Sequence, residues 1–156
     1  MVKAKKSLSQ NFIIDKNICK KIVKQTNINN KIVIEIGPGY GFLTDILLMN
    51  NPKKILLIEK DYQLVLFLKQ KYKNNNKVKI LNNDVIKVDF SKFKNVKIIS
   101  NLPYNISTKI ILYLFNFNKN ISEMVFMIQK EVALKFDYNL IKMNKYKFLT
   151  KIVSKF

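Results

Sequence analysis

Two groups of residues in this 156-residue chain have types and spacings suited to chemistry. The first is Asn101-Leu-Pro-Tyr104, read as the end of a strand. Pro103 fixes its own φ and keeps Leu102 out of the helical region, so the backbone there stays extended. The Asn101 side-chain oxygen and the Leu102 carbonyl can then both accept hydrogen bonds from a planar amine. The exocyclic amine of adenine is a poor nucleophile, because its lone pair is delocalised into the ring. Two acceptors that hold its hydrogens favour the pyramidal form, in which the lone pair is free to attack. Tyr104 adds a flat face for a base to stack on and π density near a cationic centre. No strong general base is needed, since the amine becomes acidic only after it is alkylated.

The second group is Gly37, Gly39 and Gly41, the only glycines in the chain, spaced alternately in one five-residue turn. Such a turn allows a ligand to approach bare backbone. Glu59 lies 22 positions beyond Gly37, close to where a nucleoside-binding α/β unit places an acid on ribose hydroxyls. A nicotinamide dinucleotide would also use a glycine turn and an acid, but Asn-Leu-Pro-Tyr has no evident hydride-transfer role.

These groups need elements to hold them. Ile32–Ile36 is short, β-branched and almost wholly apolar, as expected of a strand buried on both faces of a parallel sheet. From Phe42, the residues Phe42, Leu43, Ile46 and Leu47 recur at helical spacing, so the glycine turn opens onto a helix N-terminus. Further strands are expected at Lys54–Ile58, Val78–Leu81 (with Asp84 just past its end), Val96–Ser100 and Glu123–Ile128. Helices are expected after Asp15, a plausible cap, with Ile18, Cys19, Ile22 and Val23 on one face; over Tyr62–Tyr72; on Ile106, Ile110, Ile111 and Leu114; from Gln129 to Asp137; and on Leu149, Ile152, Val153 and Phe156. Alternating strands and helices predict an α/β fold with a mostly parallel sheet in the doubly wound order 3-2-1-4-5. In that order the first and fourth strands are neighbours, so Gly37–Gly41 and Asn101–Tyr104 meet in one crevice. The fifth strand would be an edge although Met124, Val125, Phe126, Met127 and Ile128 read as interior, a pattern that favours self-association.

Composition sets wider bounds. A hydrophobic content of 48% suits one domain with a real core. The formal charge of +19 is permissive of a nucleic-acid partner. Yet all 29 basic residues are lysine, a bias that an AT-rich genome would produce without any RNA. One cysteine and no histidine leave no internal disulfide and no Cys/His metal cluster, so no metal is expected. No stretch reads as a secretion signal or membrane span, and the reading is a cytosolic chain with a basic arm over residues 1–9.

Over Lys6 to the last residue the chain resembles the small-subunit ribosomal RNA adenine dimethyltransferases, which use S-adenosylmethionine. The likeness rests on Ser9-Gln-Asn-Phe-Ile-Ile-Asp15, Glu35-Ile-Gly-Pro-Gly-Tyr-Gly-Phe-Leu-Thr44, Glu59, Asp84, Asn101-Leu-Pro-Tyr-Asn-Ile-Ser-Thr108 and Met127-Ile-Gln-Lys-Glu-Val-Ala133. It implies a Rossmann-like methyltransferase fold in which Asn11 and Ile13 line the cofactor pocket. Gly37, Gly39 and Gly41 would approach the methionine and ribose parts, Glu59 would hold the ribose hydroxyls and Asp84 the adenine amine. Asn101 would sit between cofactor and target base. The implied partner is small-subunit rRNA, within an assembling ribosomal particle. Two departures stand out. Lys142-Met-Asn-Lys-Tyr-Lys-Phe-Leu149 replaces a turn that usually holds glycine and arginine. The sequence also ends where the family continues into a sixth and seventh strand and a small helical domain, so residues 1–156 are expected to be a single catalytic domain. Large-subunit rRNA methyltransferases of the antibiotic-resistance type share the catalytic residues, and an RNA-binding assembly factor without turnover would keep the fold. Gln129-Lys-Glu-Val-Ala133 leans toward the small-subunit group.

Overall fold

A computed structural model of the protein describes residues 15–137. Asn11, Ile13, the basic arm, the segment 142–149 and the expected last helix lie outside the described residues.

Five parallel strands form one sheet in the order β3-β2-β1-β4-β5. They are β1 (Ile32–Ile36), β2 (Lys54–Glu59), β3 (Val78–Asn82), β4 (Val96–Asn101) and β5 (Ile121–Met127). The helices are α1 (Lys16–Val23), α2 (Phe42–Met49), α3 (Tyr62–Lys71), α4 (Ser107–Phe115) and α5 (Lys130–Phe136). Strand alternation sends side chains to two cores. Val33 and Ile99 join Cys19, Ile22, Leu43, Leu47 and Leu68 under α1, α2 and α3. Ile34, Ile36 and Ile98 join Phe90, Ile110, Leu114 and Phe136 on the opposite face. The central strands are therefore apolar in continuous runs because both of their faces are covered.

Local chemistry sets the helix starts. The Asp15 carboxylate accepts from the Asn17 N–H at 2.7 Å and starts α1, as expected. Asp61 accepts from the Gln63 N–H at 2.9 Å and starts α3. Between β3 and β4 the chain forms two three-residue 3-10 turns, Val85–Lys87 and Phe90–Lys92, where strict alternation would have an α-helix. Asp84 and Asp89 each cap one turn, and buried Val85, Val88 and Phe90 pin the connection to the core.

The fifth strand begins two residues before the expected Glu123 and ends one residue before Ile128, with Ile121 paired to Val96 across an irregularity between Val96 and Lys97. Among the described residues β5 pairs only with β4 and is the edge of the sheet. Its Glu123 carboxylate forms an ion pair with Lys97 on β4 and accepts from the Thr26 hydroxyl. No helix among the described residues is long and apolar enough to cross a membrane.

Candidate active site

The site is built where β1 and β4 stop pairing. Their ladder matches Val33 with Lys97 and Ile34 with Ile98. The next β1 donor facing β4, the Ile36 N–H, is taken at 2.7 Å by the hydroxyl of Ser100, a fully buried residue. A side chain thus replaces a strand carbonyl, and a crevice opens at the carboxyl ends of the two strands, the switch point of this topology.

One wall is the glycine turn. Gly37, Gly39 and Gly41 have φ of +64°, +57° and +77°, a region costly for residues with a Cβ. The turn is closed by the Gly41 N–H donating to the Pro38 carbonyl at 2.8 Å. The second wall is the end of β2. Glu59 is only 6% exposed, and its carboxylate accepts from the Gly39 N–H at 3.3 Å and the Asp61 N–H at 2.9 Å. Burial pushes the Glu59 carboxyl upward, against the lowering pull of those N–H groups. Asp84 follows β3, with Oδ2 on the Lys60 ammonium at 2.9 Å and Oδ1 accepting from the Ile86 N–H at 3.3 Å. Burial raises its pKa, but the Lys60 bond and the Ile86 N–H outweigh that and hold it below the ordinary carboxylate range. The third wall is Asn101, Leu102 and Pro103, with the Leu102 N–H anchored to the Met127 carbonyl at 3.2 Å. Pro103 stands 4.0 Å from where a Cβ on Gly37 would be, so the two motifs are in van der Waals reach across the crevice.

Gly37, Gly39, Glu59, Asp84, Asn101, Leu102 and Pro103 thus line one crevice. Gly41 and Tyr104 are not in its lining. At Gly41 the missing side chain has a packing reason: a Cβ there would fall 2.4 Å from the Tyr72 hydroxyl. Tyr104 is half-buried at the turn into α4, where its carbonyl accepts from the Ser107 hydroxyl at 3.2 Å.

Sequence reasoning missed Glu35 as a site residue. It is 2% exposed, lines the crevice and accepts from the Thr44 hydroxyl at 2.6 Å. Burial raises its pKa to about 8, with the Thr44 bond acting in the opposite direction. The signal was an acid inside the otherwise apolar run Ile-Val-Ile-Glu-Ile, since a carboxyl buried there needs a partner or its proton. Tyr40 and Asn83 also line the crevice and carry no pattern of their own; Ile106 lines it too, and its pattern in the sequence was only the apolar face of a helix. Among the described residues no cluster of three or more His, Cys, Asp or Glu side chains could hold a metal ion.

Comparison with known proteins agrees with this geometry. The family model described as ribosomal RNA adenine dimethylase matches residues 1–152. Ribosomal RNA small subunit methyltransferase A of Pelagibacter ubique is 47% identical over 137 aligned positions, in a match that covers 85% of this chain and 52% of that protein. A crystal structure of a dimethyladenosine transferase from Plasmodium falciparum superposes over 91% of this chain and 52% of its own, with a TM-score of 0.74 at 27% identity. The 23S rRNA methyltransferase ErmE, 20% identical, shares the fold with a TM-score of 0.78 over 93% of this chain and 66% of its own. The chain spans about half the length of the curated relatives it matches. Its parallel sheet, its glycine turn facing an Asn-Leu-Pro-Tyr strand end and its match over nearly all residues place it in the ribosomal RNA adenine dimethylase family.

Proposed function

We propose that this chain forms the cofactor-binding and catalytic core of an S-adenosylmethionine-dependent enzyme that dimethylates the exocyclic amines of two adjacent adenines in small-subunit rRNA. The observation that carries the reading is the convergence of Gly37, Gly39, Glu59, Asp84 and Asn101–Pro103 on one crevice.

The residues fit such a cofactor. Left-handed Gly37 and Gly39 present backbone without a Cβ, which suits the methionine and ribose parts. Glu59 would hold the ribose hydroxyls; a carboxylate accepts only, and its N–H partners leave lone-pair capacity. Asp84, held ionised beside Lys60, would accept the adenine amine. Asn11 and Ile13, outside the described residues, would complete the pocket. When bound, the cofactor supplies a methyl group on a positively charged sulfur. The work of this chain is to position the amine. Asn101 and the Leu102 carbonyl accept its hydrogens and favour the pyramidal nitrogen, Pro103 keeps the strand end extended, and Tyr104 offers a stacking face.

The same proposal includes two finer partners. The RNA would be met within an assembling ribosomal particle, and the chain would self-associate through β5, whose Met124, Val125 and Phe126 are half-buried at the sheet edge. Light scattering tests the second, and a monodisperse monomer overturns it. The function is tested by methyl transfer from labelled S-adenosylmethionine to small-subunit particles, naked small-subunit rRNA and large-subunit rRNA. Label in small-subunit adenines is expected, with the particle the better substrate. Label confined to large-subunit rRNA, or particle binding with no label anywhere, overturns the reading.

A further inference from the structure

The glycine turn is held from two sides. Its inner limb is tied to Glu59 through the Gly39 N–H. Its outer limb meets the end of α3, where two consecutive side chains reach back over about 30 positions of sequence. The Lys71 ammonium donates to the Tyr40 carbonyl at 2.9 Å, to the Gly41 carbonyl at 3.3 Å and to the Asp45 carboxylate at 2.7 Å. The Tyr72 hydroxyl has one hydrogen for two acceptors, the other Asp45 oxygen at 2.7 Å and the Gly41 carbonyl at 2.9 Å. The ammonium also stands 5.8 Å from the Phe42 ring centroid and 5.1 Å from that of Tyr72.

We propose that Lys71, with Tyr72 and Asp45, is a positioning clamp that sets the glycine turn in its ligand-ready shape and thereby controls cofactor affinity. The sense in which it controls affinity rests on the proposed function; the clamp itself does not. A peptide unit is planar and trans, so its carbonyl and N–H point in opposite directions. Holding the Tyr40 and Gly41 carbonyls therefore fixes the opposed N–H groups of Gly41 and Phe42. The Gly41 N–H closes the turn on Pro38, and Phe42 and Tyr40 line the crevice.

This turn needs an outside support. Its three left-handed glycines are the residues with most backbone freedom to lose, so local sequence leaves the turn undecided among several shapes. Gly41 begins α2 and brings no side chain to cap it. The carboxylate of Asp45, in the first turn of α2, is well placed for the helix dipole, yet it is spent on Lys71 and Tyr72. Two side chains at the end of α3 thus converge on two carbonyls of one turn, and the Asp45 carboxylate of α2 holds both of them. Charge-assisted bonds of this kind are the stronger class.

The test compares Lys71→Met, Lys71→Arg and Tyr72→Phe with wild type by two readouts. Amide hydrogen exchange reports the turn without any ligand. Exchange at Gly39 and Gly41 is expected to accelerate by about tenfold or more in Lys71→Met, with the β1 and β4 strand amides unchanged, and to be restored in large part by Lys71→Arg. Calorimetry with S-adenosylhomocysteine is expected to show Kd raised by about tenfold in Lys71→Met and by less in Tyr72→Phe. Under saturating S-adenosylmethionine, kcat stays near wild type while KM for the cofactor rises. Unchanged exchange at the turn overturns the clamp whatever the binding result. Accelerated exchange with Kd within twofold of wild type overturns its control of affinity. If wild type binds neither nucleoside, the proposed function fails and exchange alone still decides the clamp.

Discussion

Replacing Glu35 by Gln isolates one proton in the core of this fold. The Glu35 carboxyl has 2% exposure and a pKa raised to about 8 from an ordinary 4.5, chiefly because burial penalises its charge. The Thr44 hydroxyl donates to it at 2.6 Å and offsets part of that cost, while the Asp45 charge adds to it. Between pH 4.5 and 8 the folded protein therefore holds a proton that the unfolded chain has lost. The stability this group contributes is fully present below pH 4.5 and disappears as pH rises through about 8. At ~1.4 kcal/mol per pH unit, the whole window amounts to roughly 5 kcal/mol at most. Gln keeps an acceptor for Thr44 and has no proton to lose. Glu35→Gln should match wild type within about 1 kcal/mol at pH 5 and exceed it by about 3 kcal/mol near pH 8. Urea denaturation of both proteins at half-unit pH intervals measures the difference, in which titrating groups that do not interact with Glu35 cancel. A gap that stays constant from pH 5 to 8 would refute the reasoning and place the Glu35 pKa near its ordinary value.

Three further outcomes are expected. Asn101→Ala and Tyr104→Ala should each lower methyl transfer by about a hundredfold while cofactor Kd stays within about tenfold, as labelled transfer and calorimetry would show. Gly41→Ala should cost about 2–4 kcal/mol in thermal or urea denaturation, because φ is +77° and the new Cβ meets the Tyr72 hydroxyl at 2.4 Å; a loss under 1 kcal/mol would contradict that contact. Glu59→Gln should weaken S-adenosylhomocysteine binding by at least about tenfold, since the amide turns one acceptor oxygen into a donor facing the Gly39 N–H at 3.3 Å.

The architecture was legible in the chain because each part of it follows from short-range pattern. Ile32–Ile36 and Lys54–Ile58 are apolar without alternation, and only a strand covered on both faces tolerates that. Gly37, Gly39 and Gly41 announced a turn open to close approach, Asp15 announced a helix start, and alternating elements allowed few sheet orders. That the segments Gly37–Gly41 and Asn101–Tyr104 meet in one crevice followed from that order, and the structure shows Gly37 and Pro103 as a point of approach. Tertiary structure decided the rest. Ser100 carries no signal as a strand residue, yet its hydroxyl ends the β1–β4 ladder and opens the site. Asp84 and Asp89 cap two short 3-10 turns in a stretch for which the sequence suggested no element. Gly41 was separable from its two neighbours only once Tyr72 was seen against it, and Lys71 was one lysine among 29 basic residues until α3 brought it to the glycine carbonyls. Backbone conformation and burial depend on a residue and its near neighbours, so sequence carries them. A hydrogen bond to a carbonyl 30 positions away depends on where two helices are set down, and that is settled only when the sheet face they share has formed.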